Sequence, residues 1–224
     1  MGQQLDDELN IYKRIQGASR CHPGRRYVRL LLDSFDINGP EDKHRCLVHL
    51  PLWESVLDFL HRNPVRRLPP AILAVTLHRL FLALDYLHTE CKVIHTGQDS
   101  RLLRLSLQPL LINLLDIKAD NLMFGIDNDS VFHDFEENEL RHPSPRKELV
   151  GRTIYTSREP KMSKDIGAPV LCDFGSAVLG DEAHSEDIQP NIYRAPEVIL
   201  QVPWTYSVDI WNAGCVVREL TSMM

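Results

Sequence analysis

Near the start of the chain Leu9, Tyr12 and Ile15 recur at helical spacing behind the acidic Asp6-Asp7-Glu8, which predicts a short amphipathic helix over 6–15. After Pro23-Gly24, the apolar runs 27–37 and 46–50 predict two strands, parted by the turn-forming Asn38-Gly39-Pro40. A short helix is expected over 52–60, ended by Asn63-Pro64. Pro69-Pro70 then opens a long helix whose Leu73, Leu77, Leu80, Phe81, Leu84 and Leu87 repeat every three or four positions, making it the expected hub of the core. Short apolar strands are expected at 93–94, 122–124 and 170–172, and a last helix at 206–220. The stretch 127–167 is rich in Asp, Glu, Pro and Arg and predicts a surface excursion with weak structure.

Composition narrows the class of protein without naming it. The 224 residues, 43% hydrophobic and 25% charged, suffice for one sizeable core or two lobes. A net charge of −6 argues against a direct nucleic-acid binder. Lys13, Arg14, Arg20, Arg25, Arg26 and Arg29 make the N-terminal region locally basic, in the manner of a solvated face. Five dispersed cysteines, Cys21, Cys46, Cys91, Cys172 and Cys215, form no C-x-x-C pair and point to a reducing intracellular compartment, cytoplasm or nucleus. The first residues show no targeting pattern, and Asp6 stands where a myristoylation site wants Ser or Thr, so no membrane attachment is expected.

Chemistry enters with two fragments on either side of a leucine-rich insert. Val93-Ile94-His95-Thr96 and Asp116-Ile117-Lys118-Ala119-Asp120-Asn121 flank the 19 residues 97–115, and joined directly they match the H-x-D-x-K-x-x-N pattern of a kinase catalytic loop. Asp173-Phe174-Gly175, Tyr193-Arg194-Ala195-Pro196-Glu197 and Ser207-Val208-Asp209-Ile210-Trp211 follow in kinase order. Each pattern alone is weak, and their order is what carries the reading. Phosphoryl transfer needs a positioned hydroxyl, positive charge on the phosphates and metal held by hard oxygens. In that scheme Asp116 orients the substrate hydroxyl, Lys118 reaches the transferring phosphate, and Asn121 and Asp173 ligate Mg²⁺. Phe174 would pack under the first helix near Glu8, and Gly175 would permit the backbone turn that aims Asp173.

The chain resembles the SR-protein kinases, the kinases of serine/arginine-rich splicing factors. The resemblance rests on Asp7-Glu8-Leu9-Asn10-Ile11-Tyr12-Lys13-Arg14-Ile15, on His95-Thr96 with Asp116-Ile117-Lys118, on Cys172-Asp173-Phe174-Gly175-Ser176-Ala177, and on Glu186-Asp187-Ile188-Gln189 running to Tyr193-Arg194. Ala195-Pro196-Glu197 is the general kinase form and a departure from better-known members. The resemblance implies an α+β protein-kinase-like fold, with 1–52 as a partial N-lobe (helix αC, two strands and hinge) and 53–224 as a partial C-lobe. It also implies ATP and Mg²⁺ as cofactors and a protein substrate, with Arg/Ser-rich sequences among its targets. Glu8 then matches the αC glutamate that assists nucleotide binding through a strand lysine. Neither that lysine nor a Gly-rich loop stands upstream of Glu8, so this chain is expected to be truncated and its catalysis impaired. Ser176 and Ser185 read as ordinary loop serines, with regulation as the minority reading.

Three readings compete for 97–115. A membrane segment is disfavoured by its length and by Arg101 and Arg104. A regulatory helix docking on the lobe is the second. The favoured reading is a translated intron, because an Asp codon split after its first base accounts for Gly97, Leu115 and a frame-preserving length. At the level of function, a Ser/Thr kinase is set against a non-catalytic, pseudokinase-like binding module and against an incomplete product.

Overall fold

The computed structural model describes residues 2–39, 43–96, 119–161 and 166–221. The insert 97–115 and the expected catalytic pair Asp116 and Lys118 lie outside them. Helix α1 (Gly2–Gly17) buries Leu9, Ile11, Tyr12 and Ile15 on one face, as the apolar spacing requires. A 3₁₀ turn (Pro23–Tyr27) follows, its first N–H groups helped by the His22 ring, which accepts from the Gly24 N–H at 3.1 Å. Gly24 is sterically obligatory: a Cβ there would stand 1.8 Å from the Leu82 carbonyl oxygen.

Strands β1 (Leu31–Asn38) and β2 (Lys43–His49) form an antiparallel hairpin. The strand expected from residue 27 thus starts at Leu31, because 23–27 is drawn into the turn that packs on the long helix. The short helix expected over 52–60 divides in two. Strand β3 (Leu52–Ser55) pairs with a distant strand, and helix α2 (Val56–Arg62) begins only after Ser55 caps it by accepting from the Asp58 N–H at 3.0 Å.

Helix α3 (Pro70–Tyr86) runs into a π-helical turn (Leu87–Cys91) ended by Lys92 in the left-handed region at φ +54. Together they are long and apolar enough to cross a membrane by length and composition. Here, however, Leu80, Ala83, Leu84, Tyr86 and Leu87 are buried in the main core. Phe81 is 46% exposed, because the buried stripe runs through Thr76 and Ala83 instead.

Strands β4 (Val93–Ile94) and β5 (Leu122–Ile126) stand before and after the segment 97–118, which lies outside the described residues. The stretch 127–167 is more ordered than its composition predicts. It holds helix α4 (Ser130–Arg141) and a hairpin of β6 (Arg146–Leu149) and β7 (Arg152–Tyr155), turned at Gly151 with φ +79. Strand β8 (Ile166–Leu171) completes the sheet β3-β5-β8, all antiparallel, and β9 (Val178–Leu179) pairs with β4. Helices α5 (Pro196–Ile199) and α6 (Ser207–Thr221) end the described chain. One core gathers α1, α3, β5 and α6, and a smaller one gathers Ile94, Ile188, Ala195, Val198, Trp204 and Val208. The architecture is α+β, as expected.

Candidate active site

Strands β5 and β8 pair with Leu122 opposite Leu171, so the residue before one and the residues after the other share an edge of the sheet. The Cys172 N–H donates to the Asn121 carbonyl at 2.9 Å, which seats Asn121 beside Asp173. From the other side comes α1. The position a Cβ would take at Gly175 lies 3.5 Å from Asp173 Oδ1 and 3.8 Å from Glu8 Oε2, so both carboxylates border the same glycine. Burial first, and then the charge of Asp173, raise the Glu8 pKa above the ordinary carboxylate value, while Arg29 works in the opposite direction.

Three of the five expected site residues, Glu8, Asn121 and Asp173, are therefore brought together. The backbone turn that orients Asp173 falls on that residue itself, at φ +66, and not on Gly175. Aspartate tolerates this conformation because its own carboxylate can meet a nearby N–H, and the Gly175 N–H reaches Asp173 Oδ1 at 3.4 Å.

Below this edge lies His95-Thr96, both buried. The Asp209 carboxylate, fully buried at the start of α6, accepts from the His95 N–H at 2.7 Å and the Thr96 N–H at 3.0 Å, and meets His88 Nε2 at 2.8 Å. Thr96 sits at φ +48, a strained setting for a β-branched residue. Its N–H bond to Asp209 and an Oγ1 bond to the Ser176 carbonyl at 2.5 Å hold it there. Since Ser176 follows Asp173-Phe174-Gly175, one threonine ties the end of the loop to the segment carrying Asp173.

A column of rings joins the same parts. Phe174 is fully buried, edge-on to Tyr12 of α1 at 5.4 Å and tilted against His95 at 5.1 Å, while Tyr12 also meets His49 of β2 at 4.8 Å. These contacts put α1, Phe174 and His95 in one packed column.

Arg29 reads in the sequence only as part of a basic, solvated N-terminal face, and His88 has no local signal, since each acts through a residue far away along the chain. Asp209 was visible within Ser207-Val208-Asp209-Ile210-Trp211, but its grip on His95 and Thr96 was not. Among the described residues no three His, Cys, Asp or Glu side chains group as a metal centre.

The arrangement thus sets an aspartate and an asparagine at one end of the β5–β8 pair, an α1 carboxylate near them and a buried His95-Thr96 pair anchored on α6. The chain is a homologue of serine/threonine protein kinases. A serine/threonine protein kinase of Aspergillus fumigatus is 38% identical over 220 residues, covering 97% of this chain and 48% of the relative. The serine/threonine-protein kinase SRPK of Physarum polycephalum is 31% identical over 221 residues, covering 97% and 50%. Protein kinase dsk1 of Schizosaccharomyces pombe is 22% identical over 303 residues, covering 96% and 52%. The chain spans about half the length of the curated relatives it matches. No protein-family profile matches it.

Proposed function

We propose that the protein containing this chain transfers the γ-phosphate of ATP to serine or threonine hydroxyls of protein substrates. The observation that carries the reading is the convergence of Glu8, Asn121 and Asp173 at the β5–β8 edge, above a His95-Thr96 turn held by Asp209. The donor chemistry fits Mg²⁺: a carboxylate and an amide are hard oxygen ligands, and Mg²⁺ in nucleotide sites takes only one or two protein ligands. Asn121 and Asp173 would hold the ion, which when bound supplies positive charge against the phosphate oxygens. Asp116 would orient the attacking hydroxyl and Lys118 would steady the transferring group. Glu8 would support the nucleotide from α1.

The SR-protein-kinase resemblance supports Arg/Ser-rich substrates and residence in cytoplasm or nucleus. It likewise supports residues 1–52 as a partial N-lobe and 53–224 as a partial C-lobe. A second reading, a non-catalytic binding module, draws on one observation. Among the described residues the cation acting on Glu8 is Arg29, next to the 3₁₀ turn, rather than a strand lysine.

Transfer from labelled Mg-ATP to an Arg/Ser-repeat peptide by the full-length protein tests the first reading. Transfer abolished by Asp173→Ala supports it. Peptide capture with no transfer at any Mg-ATP concentration would favour the binding module.

A further inference from the structure

The 3₁₀ turn Pro23–Tyr27 joins α1, α3 and the end of β8. Gly24 packs onto Leu82 and Tyr86 of α3, and Arg25 donates to the Ile15 carbonyl of α1 and to the Tyr86 hydroxyl, each at 3.0 Å. Just past the turn Val28 bridges to Leu171, and the Arg29 N–H donates to the Leu171 carbonyl at 2.9 Å. Asp173 follows Leu171 by two residues.

Tyr27 closes the turn with its ring packed against the main core. Two guanidinium groups lie over that ring, Arg26 of the turn at 5.8 Å and Arg79 of α3 at 5.2 Å. Neither arginine enters an ion pair or hydrogen bond among the described residues, and the Tyr27 hydroxyl makes no hydrogen bond there either. None of these polar atoms is a buried orphan, so the hydroxyl and both forks meet water. Asp85, the carboxylate of α3, is paired instead with His22 at 3.2 Å. A ring face answers a guanidinium charge weakly and engages none of its N–H donors. Two like charges gathered on one phenol, with no carboxylate paired to either, suit an anion carried at the phenol oxygen.

We propose that Tyr27 is a phosphorylation site, and that Arg26 and Arg79 form the clamp that receives its phosphate. The phenol oxygen attacks the γ-phosphorus of ATP in the active site of a tyrosine-directed protein kinase. The Tyr27 O–P bond forms, the bond from that phosphorus to the bridging oxygen of ADP breaks, and the phenol proton passes to the catalytic base and on to solvent. The product is close to a dianion at neutral pH, and each guanidinium fork meets it with paired, charge-assisted hydrogen bonds. Because Arg26 belongs to the turn and Arg79 to α3, the phosphate ties the two elements together. The assignment uses nothing from the phosphoryl-transfer reading of this chain and stands or falls apart from it.

The test has two arms. In the first, phosphotyrosine is installed at position 27 of the full chain by amber-codon suppression, and the thermal midpoint is read by circular dichroism. The phosphate raises the midpoint by about 3 °C, the scale of one charge-assisted contact in a chain of this size. In the Arg26→Gln/Arg79→Gln background it gives no rise, and with Arg26→Lys/Arg79→Lys only part of the rise returns, since lysine keeps the charge without the fork. About 1 M sodium chloride removes most of the rise from the chain with both arginines, a check that needs no substitution to fold. A fall in midpoint, an equal rise in the glutamine background or a rise that survives the salt would overturn the proposal. In the second arm, a tyrosine kinase chosen because it labels a peptide copy of residues 20–34 is given the folded full chain and Mg-ATP, and modified tyrosines are mapped by mass spectrometry. Label is expected on Tyr27 and on Tyr155, which is 63% exposed, and not on the buried Tyr12 and Tyr86. A chain left unlabelled at Tyr27 overturns the proposal as well.

Discussion

The Asp209 carboxylate takes the backbone N–H of His95 at 2.7 Å, a bond spanning 114 positions of sequence between the head of α6 and the residue that follows β4. The same carboxylate holds Thr96 at 3.0 Å and His88 at 2.8 Å, and it is fully buried. Water therefore cannot replace it. Asp209→Ala leaves two buried N–H donors without an acceptor and is expected to cost about 3–5 kcal/mol in urea denaturation, the scale for breaking a buried charged network. Asp209→Asn keeps one acceptor and should cost less. A loss below about 1 kcal/mol in the alanine variant would show that the turn holds without this clamp.

Tyr12 and Phe174 meet edge to face, with ring centroids 5.4 Å apart. Phe174→Ala empties a fully buried site and should cost about 3–5 kcal/mol. The pairing itself is read from a double-mutant cycle of Tyr12→Leu and Phe174→Leu, where a coupling of about 0.5–1.5 kcal/mol is expected beyond area burial. Additive losses would mean that α1 and Phe174 do not sense each other through these rings.

The β5–β8 pairing that sets Asn121 beside Asp173 depends on small residues. A Cβ at Gly167 would stand 2.4 Å from the carbonyl oxygen and 2.5 Å from the carbonyl carbon of Gly125, backbone atoms that cannot swing aside as a side chain can. Gly167→Ala should therefore destabilise by about 1–3 kcal/mol through overpacking. Gly125→Ala, whose nearest contact is 3.3 Å, should cost less. Thermal unfolding of the two variants checks the order, and a reversed order would place the tight approach elsewhere.

Much of this architecture is legible locally and some of it is not. Helices α1, α3 and α6 announce themselves because their buried faces repeat every three or four residues within one segment. Leu52-Trp53-Glu54-Ser55 has no such length of pattern, and it is a strand only because β5, some seventy residues on, offers it partners. In 127–167 polarity masked two real signals, namely Val131, Phe132 and Phe135 at helical spacing and the Val150-Gly151 turn of a hairpin. Glu8, Asn121 and Asp173 are readable because their motifs come in a fixed order. The contributions of Arg29 and His88 depend on tertiary proximity, which no local pattern encodes.

The segment 97–115 lies outside the described residues, and its origin can be tested in the transcript. Sequencing messages across codons 90–125 should reveal a major form shorter by 19 codons, joining His95-Thr96 directly to an Asp codon. Genomic bases that lack GT after the first G of codon 97 would rule the intron reading out.

Glu8 supplies a pH test of the site. Burial and the Asp173 charge raise its pKa above the ordinary 4.5, with Arg29 opposing. A raised folded pKa means that the folded chain holds this proton more tightly than the unfolded chain does. The stability tied to that proton is fully present below 4.5 and is lost as the pH rises through the folded value. Glu8→Gln stays neutral throughout, so it should match the parent near pH 4 and exceed it in thermal midpoint progressively as the pH climbs toward about 8. Part of the parent's deficit is repulsion by Asp173, and a divalent cation held by Asp173 would relieve it. Added Mg²⁺ at neutral pH should therefore narrow the gap between the parent and Glu8→Gln, and should fail to do so when Asp173 is changed to Asn in both backgrounds. A parent that gains on Glu8→Gln as the pH rises would put the attraction of Arg29 above burial and repulsion combined. It would then recast Glu8 as one half of a structural ion pair.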